Sequence, residues 1–574
     1  MAPSSSSSSS SSNCSFLQPH LPDECWESVF KHLNHPHHLE PLSLVARRFF
    51  SLTNRIRTHL TISDHILPHL PALLRRFTNL TSIKLTPDIN ADIDALLSQI
   101  ASFDLPSLHS LDISNQRTFP SHGLRHFSKK FPTLKSLNCS RTQPDLVLIS
   151  ECFPNLEEIN VSYTYPSSVT DLHVKALASG LKKLRKVDLS GSYICGDSSF
   201  FTFCQNWVFL EALVVRGNGF LSEIGIANAI RQRPQLRSLA VRMGNVKLEL
   251  IHALVSLKDL TCLDLSYSSI SDEALCAIEE GGLRFTELSL QNCLEYGYSG
   301  ISCLLRKCKY LQYLDLQGTQ FLNDECVIEL SLLLGNLNVV KLSGNENLTD
   351  LSLFTIMRNC PLITEIRMDS TSVGKLKLEG DCLVVNSHLK FLYLAHNKWL
   401  DDGSVTMLAS VCPNLEMIDL TYCRKVSKGA IDVLRRCCKI QHMDLAHLGC
   451  DLPLFQFQFR VNFEVPILFV LNLSRCRISD EELSLISKSC YRLKELNLDY
   501  CDKITENGIK QVVKNCKQLR MISLYGCEKV CSDVVAWMIF ARPSLRKIGA
   551  PPQFHFADDG QQDLFLRRGC FVAL

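Results

Sequence analysis

The sequence predicts an α/β solenoid: a horseshoe-shaped stack of strand–helix units, parallel strands inside and helices outside, preceded by a small all-helical module. Three observations predict it. An apolar motif recurs with a nearly constant period along most of the chain. Each copy alternates apolar and polar residues and then changes to helical spacing. The stretch 21–62 is apolar but breaks the period.

The period comes first, because repeats overturn any domain count taken from length. At about 150 residues per domain, 574 residues would suggest three or four domains. The recurring pattern is an apolar anchor, then apolar residues three and five positions later. Its anchors are Leu80, Leu108, Leu134, Leu156, Leu184, Leu210, Leu236, Leu260, Phe285, Leu311, Leu337, Ile363, Leu389, Leu415, Ile440, Leu468, Leu493, Leu519 and Leu545. These 19 anchors have a mean spacing of 25.8 residues, within limits of 22 and 28. In Leu493-Lys494-Glu495-Leu496-Asn497-Leu498 the alternation is that of a short half-buried strand. A turn follows, then Ile504, Ile509, Val512 and Val513 at helical spacing. One such unit cannot bury its apolar face alone, but stacked copies can. Helices are wider than strands, so the stack curves. At ~4.8 Å per strand it extends roughly 90 Å.

The 26 cysteines, many for a chain with no disulfide-scaffold density, fall partly into this register. Cys308, Cys360, Cys412, Cys437, Cys490 and Cys516 lie three residues before an anchor. Cys293, Cys423, Cys476, Cys501 and Cys527 lie eight after, where Asn218, Asn345 and Asn397 stand in other repeats. A zinc site needs paired ligands at fixed separations, and these thiols do not form such pairs. They read as buried structural thiols, the later set as compact weak donors meeting turn carbonyls. From Cys490 to Ile509 the register resembles the cysteine-containing class of leucine-rich repeats; from Leu80 to Leu236 the match is looser.

Residues 1–16, with nine serines from Ser4 to Ser12, read as a disordered tail. They have no positive n-region and apolar core, so no secretory signal is expected. Residues 17–62 read as the helical module, 63–550 as about 18–19 repeats and 551–574 as a C-terminal cap. Leu21-Pro22-Asp23-Glu24 begins a helix, with proline and acids at its start. Its apolar stripe includes Trp26, Phe30 and Leu33, and a second segment carries Leu42, Leu44, Val45 and Phe49. That apolar density exceeds what a few short helices bury, which points to docking on a partner or on the first repeats. Leu-Pro-x-Glu, then Val-Phe-x-x-Leu, then Ser-Leu-Val-x-x-Arg-Phe resembles an F-box, although Ala46 and Phe49 stand where the family often has Cys and Trp.

An F-box followed by these repeats resembles plant-type F-box/leucine-rich-repeat proteins. The resemblance implies a substrate-recognition subunit of an SCF-type ubiquitin ligase. The F-box would bind a Skp-family adaptor, and through it a cullin and a RING subunit, while the repeats hold a protein target for degradation. The implied adaptor contacts are Leu21, Pro22, Trp26, Phe30, Leu33, Leu42, Leu44, Val45 and Phe49, some of which must instead form the module's own core. The alternative is a non-catalytic scaffold, or a small-molecule-dependent receptor, that uses the F-box outside a ligase.

On each strand, residues two, four and six past the anchor face the concave side. Arg216 and Arg242 share one position in adjacent repeats and are candidates to hold a carboxylate or phosphate together, against a reading as two solvated arginines. Phe391, Tyr393 and Met417 form a candidate apolar target-binding patch. Two repeats lack a helical pattern: Lys375-Leu376-Lys377-Leu378 and the Phe-rich stretch 454–463 alternate instead. They read as outer strand-like segments or as loops over the concave face.

Enzyme chemistry is not expected. His35, His37 and His38 lack further ligands at metal spacing, and His122 and His126 lack the glutamate of a zinc protease motif. No cofactor or metal is expected, and no dense Lys/Arg set supports an inositol phosphate. With 60 Lys+Arg against 58 Asp+Glu, neither nucleic acid nor membrane is an expected partner. The expected location is the nucleus or cytoplasm, with reduced thiols.

Overall fold

The computed structural model describes residues 21–32, 39, 42–64, 66–87, 89–164, 171–192, 196–376, 384–448 and 463–574. Among them, 21 strands form one parallel sheet in which each strand pairs with its neighbours in sequence. Most strands are three residues long, such as Glu495–Asn497, and most are followed by a helix of seven to ten residues, such as Glu506–Asn515. The solenoid is therefore a leucine-rich-repeat fold. Leu493, Leu496 and Leu498 point inward and are buried against Ile509, Val512 and Val513 of the helix.

Nineteen strands follow the anchors, and two were not expected. His59–Ile62, read from sequence as the end of the helical module, is the first strand and pairs with Ser82–Leu85. Its Leu60 and Ile62 alternate inward, so the sheet begins inside the predicted module. Phe571–Ala573 adds the last strand, beside Lys547–Gly549, after the helix Asp559–Arg567. The segment expected as a cap is one more strand–helix step. In the irregular repeat after Ile363, Lys375 and Leu376 lie in bends rather than a strand; Lys377, Leu378 and the Phe-rich stretch up to 462 lie outside the described residues.

Two ladders of side chains join successive units. The first is the thiol ladder. Sγ of Cys293, Cys423, Cys476, Cys501 and Cys527 donates to the carbonyls of Leu265, Leu394, Leu445, Leu473 and Leu498, at 3.0, 3.0, 3.1, 3.2 and 3.0 Å. Each carbonyl belongs to the preceding repeat. Asn345 and Asn397 do the same through Nδ2, to Leu316 at 2.9 Å and Met368 at 2.8 Å. Earlier repeats carry shorter hydroxyls in the slot: Thr142, Thr164 and Ser192 donate only to Cys139, Val161 and Leu189 of their own repeat. Asn218 Oδ1 accepts from the nearby Phe220 amide.

The second ladder runs along the helix starts. A helix leaves its first amides without internal partners. Here an aspartate in the first turn of one helix accepts from the next unit's cap. Asp480 accepts from Thr505 N at 2.9 Å, Asp272 from Gly297 N at 2.7 Å, Asp324 from Thr349 N at 2.9 Å and Asp402 from Ser427 N at 2.6 Å. At the Asp324 step the facing helix carries Ser352, which donates to the carboxylate, and at the other three it carries glycine at close approach. A Cβ on Gly508 would lie 2.3 Å from Asp480 Oδ1, and one on Gly300 2.4 Å from Asp272 Oδ1. In the repeat after Ile363, buried Asp350 accepts from Gly374 N and Leu376 N, at 2.9 and 3.0 Å.

The cysteines before the anchors end the helices: Cys360, Cys412, Cys437, Cys490 and Cys516 are C-caps and fully buried. Phe131, Phe153 and Trp207 fill that position in earlier repeats. Burial pushes the thiols of Cys360, Cys437, Cys490 and Cys516 up to about 12, and raises those of Cys412 and Cys501 in the same way. They are poor nucleophiles at neutral pH. No helix among the described residues is long and apolar enough to cross a membrane.

Asp480→Ala leaves two donors of Thr505 without their acceptor and is expected to cost about 1–3 kcal/mol. Gly508→Ala is expected to destabilise as well. Exposed Lys514→Ala should stay within about 0.5 kcal/mol in urea unfolding, and equal midpoints for all three would refute the ladder's role. A maleimide should label the exposed Cys25, Cys438 and Cys531 in the folded protein. Cys412, Cys490, Cys501 and Cys516 should react only after denaturant is added.

Candidate functional site

Two surfaces carry the residues singled out in the sequence. The first is the helical module, built on Asp23–Lys31 and Arg47–Arg55. Pro22 caps the first helix in an extended conformation, and Asp23 and Glu24 occupy its first turn. Trp26, Phe30 and Phe49 form one aromatic cluster, with centroids 4.8–5.8 Å apart. Phe30 is 2% exposed and Leu52 fully buried. Asp23 holds the two helices together by accepting from Arg48 Nε at 2.7 Å, while Arg55 pairs with Glu27.

The apolar candidates thus divide. Phe30, Trp26 and Phe49 make the module's core, with Leu42 half-buried. Leu21, Pro22, Leu44 and Val45 face outward; Leu44 is 83% exposed and Val45 67%. Leu33 lies outside the described residues. Val29, which sequence reasoning passed over, is also exposed: it lies about 100° round the helix from Phe30, on the flank of the aromatic stripe. The module is fastened to the solenoid. Arg76 Nε donates to Asn54 at 2.7 Å, Asn79 Nδ2 to the Arg55 carbonyl at 3.0 Å, and the Arg76 guanidinium lies 4.2 Å from the Phe50 ring centre.

The second surface is the concave sheet. Val215 and Val241 are paired, so Arg216 and Arg242 follow at the same level as predicted. Their side chains turn to different partners. Arg216 reaches across the intervening strand to an ion pair with Asp264, and Arg242 lies 5.3 Å over the Tyr267 ring. The reason is the carboxylate two strands away, which satisfies Arg216 within the protein. Asp264 belongs to a cavity of about 400 Å³ also lined by Tyr313, Asp315, Gln317 and Lys341. Asp315 accepts from Tyr313 at 3.3 Å and from Gln317 Nε2 at 3.0 Å, while Lys341 Nζ lies 5.0 Å over the Tyr313 ring. Burial and the adjacent Asp315 both raise the Tyr313 phenol, keeping it a neutral donor.

Phe391 and Met417 stand directly opposite on adjacent strands, with Tyr393 one step along, so the apolar trio is contiguous. All three are half-buried. The Arg367 guanidinium covers Tyr393 at 4.0 Å, itself held by Glu365 at 2.6 Å. Met417 also lines a second cavity, of about 390 Å³, with His442, Phe469, Val470 and Lys494. Lys494 Nζ sits 4.0 Å over Phe469 and the side chain is nearly buried. The apolar strip is thus longer than the sequence reading had it. Phe469 and Val470, one and two past an anchor, were the missed signal. Among the described residues no group of three His, Cys, Asp or Glu side chains is placed to hold a metal ion.

The leucine-rich-repeat family model matches residues 385–409. The chain carries leucine-rich repeats. Among curated proteins it is similar to F-box/LRR-repeat protein 4 of Bos taurus, 24% identical over 269 residues, covering 43% of this chain and 41% of the relative. It is also similar to BTB/POZ domain-containing protein FBL11 of Arabidopsis thaliana, 24% identical over 482 residues, covering 76% and 50%. The chain spans half or less of the length of these relatives. Among solved structures, the Rad7 and Elc1 complex in yeast matches at TM-score 0.46 and 16% identity, over 71% of this chain and 93% of that one. The TLR13–ssRNA13 complex matches at 0.42 and 16%, over 86% and 81%.

Removing the Phe30 ring is expected to cost the module about 3–5 kcal/mol, whereas Leu44→Ala and Val45→Ala should each change stability by about 0.5 kcal/mol or less. Limited proteolysis of residues 21–62 against denaturant reads the difference. Equal sensitivity in all three variants would overturn the division into core and surface.

Proposed function

We propose that this chain is the target-recognising subunit of an SCF-type ubiquitin ligase, of the plant F-box/leucine-rich-repeat type. The observation that carries the reading is the exposure of Leu21, Val29, Leu44 and Val45 on a small module whose core is already closed by Phe30, Phe49 and Leu52. Apolar side chains left outside a completed core suit a permanent partner. The similarity to F-box/LRR proteins supports a Skp-family adaptor as that partner, and through it a cullin and a RING subunit. The solenoid then offers its concave face, from the Asp264–Lys341 cavity to the Phe391–Val470 strip, to a protein target. The chain makes and breaks no bonds. It raises the target's effective concentration beside a ubiquitin carrier, and the contacts through Arg76 and Asn79 hold the module to the first repeat. No cofactor takes part, and the site of action is the nucleus or cytoplasm.

Co-purification tests the reading. The full chain should retain a Skp-family adaptor, and Leu44→Ala combined with Val45→Ala should lower retention at least about tenfold with unchanged circular dichroism. Undiminished retention by this variant, or none by the unaltered chain, would refute it. An adaptor complex that never recruits a cullin would favour the scaffold reading.

A further inference from the structure

Two half-buried thiols face each other on the outer layer of helices, at a step where the backbones touch. The helices are Asp272–Glu280 and Tyr298–Leu305. Gly300 packs so closely against the first helix that a Cβ there would lie 2.8 Å from the Asp272 Cα. The helices follow the paired parallel strands Cys262–Asp264 and Glu287–Ser289, so they run in the same direction. Residues one turn further on therefore meet as well. These are Cys276, four past Asp272, and Cys303, three past Gly300. The equivalent pair at the Asp402–Gly429 step is Thr406 and Asp432, whose side chains are hydrogen-bonded at 2.7 Å. At the Asp324 and Asp480 steps the pairs are Ile328 with Thr355 and Ser484 with Gln511. Of these four steps, only the one at Asp272 puts sulfur on both sides.

The two thiols are hydrogen-bonded to each other, and both are partly open to solvent. Their surroundings differ. The hydrogen bond with Cys303, followed by burial, pushes the Cys276 thiol up to about 11, and the Asp272 and Glu279 carboxylates act in the same direction. Cys276 therefore keeps its proton at neutral pH. Cys303 has a cation at hand. Lys307, one turn on, pairs with Glu279 at 2.8 Å and lies in electrostatic reach of the Cys303 sulfur. The pair is unlike the thiols of the repeat register, such as Cys308, which is 3% exposed and closed to solutes.

We propose that Cys276 and Cys303 form a reversible oxidation site for hydroperoxides, closing to a disulfide that joins two successive repeats on the outer face. A disulfide needs Cα atoms within about 7 Å, and the touching backbones at Gly300 supply that approach. The Cys303 thiolate attacks one oxygen of the peroxide. An S–O bond forms, the O–O bond breaks, and the leaving hydroxide takes up the proton that Cys303 released and becomes water. The Cys276 sulfur then attacks the sulfenic sulfur of Cys303. The S–S bond forms, the S–O bond breaks, and hydroxide leaves with the Cys276 proton as water. Two thiols and one hydrogen peroxide thus give one disulfide and two waters, with sulfur oxidised and peroxide oxygen reduced. The site lies on the solenoid alone and does not depend on the adaptor reading.

The test is peptide mapping of the full chain by mass spectrometry, after brief treatment with hydrogen peroxide and blocking of the remaining thiols. Cleavage at lysine, arginine and glutamate separates Cys276 and Cys303 from Cys262, Cys293 and Cys308. Without reductant, the Cys276 and Cys303 peptides should appear joined and two hydrogens lighter than their sum, and dithiothreitol should part them. In Cys276→Ser, dimedone should trap the sulfenic acid of Cys303 at least about tenfold more than it traps Cys276 in Cys303→Ser. Cys326→Ser, which removes the half-exposed thiol of the next helix, should leave the joined peptide within about twofold. Absence of the joined peptide from the unaltered chain overturns the proposal, whether or not the variants fold. So does a bridge from either residue chiefly to Cys326, or equal trapping in the two serine variants.

Discussion

No repeat in this chain can satisfy itself, and the architecture follows from that constraint. Each strand is about three residues long, too short to hold together without neighbours on both sides. Each helix start has amides that need an acceptor, and each turn has carbonyls that need a donor. Neighbouring units supply many of these partners. Asp480 and Cys501 show the arrangement within one step of the array: the aspartate accepts from the unit ahead, and the thiol donates to the unit behind. Buried polar groups are thereby paired across many boundaries between units.

This division of labour leaves the concave face chemically open. Side chains two, four and six past the anchor carry little of the burial, so they vary between repeats. In the first half they are mostly small and polar, as at Ser110, Ser136 and Ser140. From Tyr313 onward they include large and charged groups, among them Lys341, Arg367, Phe391 and Met417. The two cavities lie in the second regime or at its edge. Aspartates in the middle of the strands have a structural task as well, since Asp188, Asp264 and Asp419 each accept from the amide two residues on. Their charge is a property of the surface, and their presence is a property of the turn.

The sequence reveals most of the fold, because alternation within a strand and the 26-residue step are both visible in one dimension. Leu493, Leu496 and Leu498 are read correctly from spacing alone. His59–Ile62 and Phe571–Ala573 are not, because neither segment has the full anchor pattern and each is defined by the strand it joins. The thiol ladder was legible as a register, and its acceptors were legible only as turn carbonyls in general. The aspartate ladder was invisible: Asp480 looks like any acid in a first helical turn, and its partner lies 25 residues away. The helical module shows the same limit. Trp26, Phe30, Leu44 and Val45 are alike in hydrophobicity, and only tertiary packing sorts inner from outer. Arg216 was misjudged for a related reason, since its partner Asp264 is 48 residues distant.

The slot eight past the anchor has a mechanical meaning. Where it holds cysteine, Asn345 or Asn397, a side chain donates across the boundary between repeats. At Thr142, Thr164 and Ser192 the hydroxyls donate within their own unit instead, and Gly244 has no side chain to reach across. Three consecutive units therefore lack a bond that Gln116, one unit nearer the helical module, makes to the Thr86 carbonyl at 2.8 Å and that the cysteine units make farther along. The stretch with fewer such crossings lies between the end that carries Leu44 and Val45 and the end that carries the large concave side chains.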